Sequence, residues 1–206
     1  MMIERLENAL QIAVLLFCCC ITIYRALRLH SRVWIFLTFF YGSWLLGDIY
    51  WTTCLFFFKQ TPQISIVSDL SWYASFIFMY MLLHQIAPPQ GNSRAWLVPW
   101  LGPIFTLAMA IYYTLWGQLL NNLIYALLMG LLLYAVIYRL CERKQYARQT
   151  ALCQTILVFC LMEHALWTSS CIWSGDTLLN PYYWCDLLLT LTFPFFLRAT
   201  RKAVSA

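Results

Sequence analysis

An all-α polytopic membrane protein, a seven-transmembrane-helix bundle, is the fold this sequence predicts, and three observations predict it. Of its 206 residues, 63% are apolar and 10% charged, whereas a soluble domain carries roughly 25% charged residues. Apolar runs of about 20 residues, enough to cross ~30 Å of hydrocarbon, recur along the whole chain. Lys and Arg are segregated into alternate connections, as in a chain threaded repeatedly through a bilayer.

Helices are expected at 8–25, 33–57, 65–87, 95–115, 119–139, 150–173 and 180–198. The first contains the apolar run from Ala9 to Tyr24. Mixed charges at Glu4, Arg5 and Glu7 precede it and no small-residue cleavage site follows, so it reads as a retained helix and not as a signal peptide. The second stops before Lys59 and Pro62, and the third at Pro88-Pro89 with Gly91. The fourth holds Pro99 and Pro103, which either kink it or delay its start. Gly117 separates it from the fifth. Gly175-Asp176 closes the sixth, and Asn180-Pro181 opens the seventh. With no internal repeat or low-complexity segment, residues 1–206 read as a single transmembrane domain.

Charge sets the expected orientation. Eleven of the thirteen Lys and Arg fall on one side: Arg25, Arg28, Arg32, Arg94, Arg139, Arg143, Lys144, Arg148, Arg198, Arg201 and Lys202. Arg5 and Lys59 fall on the other. The positive-inside rule then places the N-terminus outside and the C-terminus in the cytoplasm of a multi-pass protein of the plasma membrane. The net charge of +5 reflects this topology. No basic patch interleaved with exposed aromatics points to nucleic acid. Of nine cysteines, Cys18, Cys19, Cys20, Cys153 and Cys160 sit within apolar runs as small hydrophobes. Cys54, Cys171 and Cys185 fall near helix ends on one side, where one bridge could form.

Four of the eight acidic residues lie inside predicted helices: Asp48, Asp69, Glu163 and Asp186. Ionisable groups are costly in a bilayer and usually face the bundle interior. All four fall between midplane and outer surface, Asp69 and Asp186 nearest the outside and Asp48 and Glu163 deeper. Helical spacing adds aromatic neighbours to each. Tyr41, Trp44 and Trp51 share a face with Asp48, and Trp72 or Tyr73, Phe76 and Tyr80 share one with Asp69. Trp167 and Ser170 align with Glu163, and Tyr183 and Thr190 with Asp186. Asn121, Asn122 and Tyr125 meet them from the fifth helix. The expectation is an acid-lined, aromatic-walled ligand site open toward the outer face.

No Lys or Arg lies within a helix core, and His164 is the only basic side chain at that depth. An isolated carboxylate in low dielectric takes up a proton or holds a cation. Three uses follow: a cationic or lipid-like ligand held by carboxylate and ring faces, a carried proton, or general-acid catalysis by Asp48, Asp186 or Glu163. Structural roles compete with each. Asp69 and Asp186 lie near helix starts, where carboxylates cap the helix or complement its dipole. Glu163-His164 could join helices as a neutral hydrogen-bonded pair. Trp116, Trp173 and Tyr182 fit an interfacial aromatic belt. His30 and His84, near the cytoplasmic interface, carry no assigned role.

Nucleotide-binding, zincin and nucleophile-elbow patterns are absent, and Ser68, Ser71 and Ser75 around Asp69 lack a nearby histidine. No metal site and no cofactor are expected. Membrane lipid and a small molecule are the expected partners, and nothing in the sequence decides between a monomer and a homo-oligomer.

The run Gly47-Asp48-Ile49-Tyr50-Trp51, then Pro62, then Ser68-Asp69-Leu70 and Trp72-Tyr73, resembles the multi-helix N-terminal sensor regions of bacterial diguanylate cyclases. The short loops leave no room for a cyclase domain, so this resemblance implies a stand-alone sensory or ligand-binding unit. Asp48 on an early helix and Asp186 on the last also resemble the acids of seven-helix membrane terpene cyclases, although Asp48 stands where a glutamate is expected. That resemblance implies a membrane enzyme acting on a hydrophobic substrate. A proton-coupled transporter, with Glu163 titrating, is a third expectation.

Overall fold

The computed structural model describes residues 2–58, 66–89, 97–142, 144–175 and 177–204. The described residues form seven α-helices: α1 (Met2–Leu29), α2 (Arg32–Thr53), α3 (Ile66–Ile86), α4 (Leu101–Tyr113), α5 (Leu119–Cys141), α6 (Thr150–Ile172) and α7 (Pro181–Val204). A π turn, Cys54–Phe58, prolongs α2, and a 3-10 turn, Val98–Trp100, precedes α4. No strand occurs among the described residues. The expected breaks at Lys59, Pro62, Gly91 and Asp176, and the loop charges Arg94 and Arg143, lie outside the described residues.

Five of these helices are long and apolar enough to cross a membrane: α1, α2 with its π turn, α3, α5 and α6. Two of the seven expected spans, α4 and α7, are not among these five. Counted with its 3-10 turn, α4 is only Val98–Tyr113. Pro99 lies in the 3-10 turn and Pro103 in the first turn of α4, where a missing N–H costs little. The prolines therefore delay the helix and do not kink it. α7 is long enough at 24 residues, but its last turns carry Arg198, Arg201 and Lys202. α1 also starts earlier than expected and takes Glu4 and Glu7 into the helix. Hydropathy marks where a helix becomes apolar, and α1 is already helical before that point.

Six helices close a ring. α1 packs on α2, α2 on α3, α3 on α5, α5 on α6, α6 on α7, and α7 back on α1. α4 lies outside this ring against α5. The seam between them is closed by glycines: a Cβ on Gly102 would stand 2.7 Å from Leu133 Cβ, and one on Gly130 would stand 2.8 Å from Thr106 Oγ1. Where no hydrophobic drive exists between helices, such small residues permit the close backbone approach that holds them. Outward faces carry exposed Phe17, Leu46, Phe57, Ile104, Leu127 and Phe195. A surface so uniformly apolar suits lipid better than water.

Side-chain bonds fix helix directions. Arg139 near the end of α5 donates from Nε to the Ala87 carbonyl just past α3, at 2.7 Å. Asn121 in the first turn of α5 meets Asp69 in the first turn of α3. α3 and α5 are therefore parallel. Gln11 of α1 meets Asp186 of α7, which makes those two parallel as well. The starts of α1, α3, α5 and α7 thus share one end of the bundle, here termed the amino end. The sharp turn between α1 and α2 is made at His30, whose φ of 46° lies in the left-handed region. Across this turn the Arg25 guanidinium lies 4.6 Å from the Trp34 ring centroid.

The middle of the ring is filled by aromatic rings. Phe40 contacts Phe159, Phe193 and Phe196 at centroid distances of 5.3–6.1 Å. The Tyr41 hydroxyl donates to the Phe193 carbonyl at 2.6 Å, beside Pro194. Towards the carboxyl end Met79, Leu82, Leu83, Leu132, Val136 and Ile156 complete a packed interior.

Candidate functional site

Depth separates the four intrahelical acids into two tiers. Asp69 and Asp186 lie within the first two turns of α3 and α7, roughly 5–8 Å below the amino end at 1.5 Å per residue. Asp48 lies well before the end of α2 and its π turn, and Glu163 well before the end of α6. The same rise puts them roughly 14–15 Å deep. All four are buried, and all line a single cavity of about 390 Å³ at the amino end of the ring.

The outer tier is bonded to the protein itself. Asn121 Nδ2 donates to Asp69 Oδ2 at 2.6 Å. Tyr73, one turn beyond Asp69, donates its hydroxyl to the Asn121 carbonyl at 3.1 Å. Gln11 Nε2 donates to Asp186 Oδ1 at 2.9 Å. Neutral amides therefore serve these two carboxylates, with no counter-charge.

The deep tier is only partly served. Asp48 Oδ1 accepts from Trp72 Nε1 at 3.0 Å. Gly47 makes this bond possible, because a Cβ there would stand 2.6 Å from that same nitrogen. Trp72 is held between Trp44 and Trp51, with ring centroids 6.5 and 5.9 Å away. Asp48 Oδ2 is buried without a hydrogen-bond partner, as is Glu163 Oε2. The two carboxyls are near enough for charge on Asp48 to act on Glu163. Leaving a buried acceptor unsatisfied costs roughly 1–3 kcal/mol, and more for a charged one, so this pair is costly, as is Glu7 on α1, whose two oxygens are also buried without a partner. Asn122 on α5 carries the complementary defect: its Nδ2 is buried without an acceptor.

Of the residues read from the sequence, the lining also includes Trp44, Trp51, Trp72, Tyr73, Trp167 and Asn122. Asn121, Tyr125 and Ser170 line it too. Tyr183 is a correction: it does not line the cavity, and its neighbour Tyr182 does. Tyr182 precedes Asp186 by four residues and shares its stripe, whereas Tyr183 is turned about 100° away on the helix. Tyr182 is accordingly not the belt residue expected. Phe76 belongs to the aromatic core and Tyr80 is exposed. Asn8, Gln11, Tyr113 and Gln118 are lining residues that the sequence reading missed. For the first two the signal was present, as amides one helical step apart near the start of the first helix.

His164 turns away from the cavity, toward α4 and α5. Its Nδ1 bonds the Cys160 carbonyl at 2.8 Å, and its ring lies 4.9 Å from Phe105 and 5.3 Å from Tyr125. Glu163 and His164 therefore face different surroundings and do not act as one unit. No Lys, Arg or His is found among the described lining residues, and among the described residues no three His, Cys, Asp or Glu converge as metal ligands. All nine cysteines are free thiols, so Cys54, Cys171 and Cys185 form no bridge.

Neither a protein-family model, nor a curated protein, nor a solved structure matches this chain.

Proposed function

We propose that this is a plasma-membrane protein, its amino end outward, whose cavity binds a hydrophobic small molecule at a positively charged centre. Two buried carboxyl oxygens without donors, Asp48 Oδ2 and Glu163 Oε2, carry this reading. An ammonium would supply the missing donors, and the surrounding tryptophan and tyrosine faces attract a cation through their quadrupoles. The volume of about 390 Å³ lies within the range of roughly 300–1,000 Å³ typical of small-molecule sites. Asp69 and Asp186, already bonded to amides, would set the potential at the rim. Such a site suits a ligand-binding or sensory protein. Octylamine titrated into the purified protein and read by tryptophan emission tests it. Asp48→Asn and Glu163→Gln should each weaken binding about tenfold or more, the worth of a charge-assisted hydrogen bond. Octanol binding should change far less. Octylamine affinities equal to wild type in both variants would remove the reading.

The Trp72–Asp48 bond favours a second reading, in which the positive centre is made in the cavity. Oδ1 is engaged, so a proton carried by Asp48 sits on Oδ2. Transfer of that proton to one carbon of a C=C bond uses the π pair to form C–H, leaving a carbocation and the Asp48 carboxylate. The aromatic walls stabilise the cation, a second C=C can close a ring onto it, and loss of a proton to Asp186 or Glu163 completes an isomerisation. This is the chemistry of the membrane terpene cyclases that Asp48 and Asp186 resemble. It predicts that a linear isoprenoid is converted to a product of identical mass with fewer C=C bonds, and that Asp48→Asn stops conversion while the protein stays folded. An isoprenoid recovered unchanged from wild type would exclude it.

A further inference from the structure

Most polar groups that line the cavity are already committed. Asn8 donates to the Glu4 carbonyl, Gln11 to Asp186, Asn121 to Asp69 and Ser170 to the Trp167 carbonyl. Beside the two deep carboxyl oxygens, one fully buried donor of the lining has no acceptor. Asn122 is 8% exposed, lines the cavity, and its Nδ2 has no acceptor. Its neighbour along the chain shows what that amide lacks, since Asn121 Nδ2 is satisfied by a carboxylate.

Asn122 stands in the first turn of α5. Tyr125, less than one turn deeper, is within reach of charge on Glu163 and stacks near Trp167 at 5.6 Å. The spare donor therefore lies one to two turns above the spare acceptors, roughly 5–10 Å along the axis. A buried donor without a partner is as costly as a buried acceptor, and a single guest spanning the cavity can relieve both.

We infer that Asn122 forms a second subsite, taking an uncharged acceptor oxygen (ether, carbonyl or hydroxyl) of the same ligand whose positive centre meets Asp48 and Glu163. The ligand class is an amphiphile with an amine and an oxygen separated by about six methylenes. This rests on the proposed cation site, and the experiment separates the two.

Octylamine and 6-methoxyhexylamine differ by one ether oxygen in place of a methylene. Their affinities are compared in wild type, Asn122→Leu and Asn122→Met, with heptyl methyl ether against nonane as the uncharged pair. Thermal unfolding of each variant controls for folding. The Asn122→Leu change should shift the ratio of the two amine affinities by about three- to tenfold against the ether, the worth of one neutral hydrogen bond. Asn122→Met, which also lacks the donor but differs in shape, should show the same shift. If octylamine binding ignores Asp48 and Glu163, the cation site fails. The uncharged pair then reads the oxygen subsite alone, by the same ratio. An unchanged ratio in both pairs, equal loss of both amines, or no binding of any probe overturns the subsite.

Discussion

Gly47 and Trp72 show how closely this interior is fitted. The indole nitrogen that bonds Asp48 occupies the space where a Cβ of residue 47 would stand. Gly47→Ala should push the indole aside and weaken octylamine binding along with stability. Trp72→Phe keeps a ring but leaves Asp48 Oδ1 without a donor, and should lower unfolding free energy by about 1–3 kcal/mol in chemical denaturation of the solubilised protein. The four acids and most of the aromatic walls were legible in the sequence, because carboxylates are expensive in a helix bundle built for lipid and helical spacing gathers their neighbours. Their partners were not. Gln11 lay inside the expected first helix, but an uncharged amide gave no sign of its pairing with Asp186, and Tyr182 was lost to Tyr183 by a single position of helical phase. Which acid is served by an amide and which is not depends on three-dimensional contacts between α1 and α7 or α3 and α5, about which spacing says nothing.

Among the elements, α4 differs most from expectation. Its prolines were visible, but their effect depended on whether the chain was already helical at Pro99. Its seat on α5 rests on Gly102 and Gly130. Gly130→Val should prise Thr106 from α5 and lower the thermal midpoint more than Gly42→Val, since a Cβ on Gly42 meets nothing within 4 Å. The junction of α3 and α5 depends on Arg139. Buried at 3% exposure, it bonds the Ala87 and Ala135 carbonyls at 2.7 Å each, while Tyr146 donates to the Pro88 carbonyl at 2.8 Å. Positive charge at the end of a helix complements the exposed carbonyls there. Arg139→Met should cost about 1–3 kcal/mol for the carbonyls left unserved, with Arg139→Lys recovering only part because a single ammonium lacks the guanidinium fork. Proteolysis in the connection after α3 would report the loosened junction. In the sequence this arginine read only as a charge that sets orientation.

At the scale of the whole molecule, the ring of six helices was not legible at all. Helix count follows from apolar runs, but the order in which helices touch is set by facing side chains distributed over the entire chain. What the ring encloses is layered: acids and amides at the amino end, phenylalanines in the middle, aliphatics beyond. Phe159, fully buried between Phe40, Phe193 and Phe196, ties the layers together. Phe159→Ala should destabilise by about 3–5 kcal/mol and deepen the cavity enough to admit longer alkylamines, which a chain-length series would read out. That phenylalanine stopper also governs traffic. A guest coming in past Gly117, Gln118 and Ser170, the exposed residues of the lining, reaches a blind end and must back out along the way it came. Two guests cannot pass one another, so unlike hydrophobic amines should exclude each other one for one, and whatever leaves most slowly sets the pace for everything behind it.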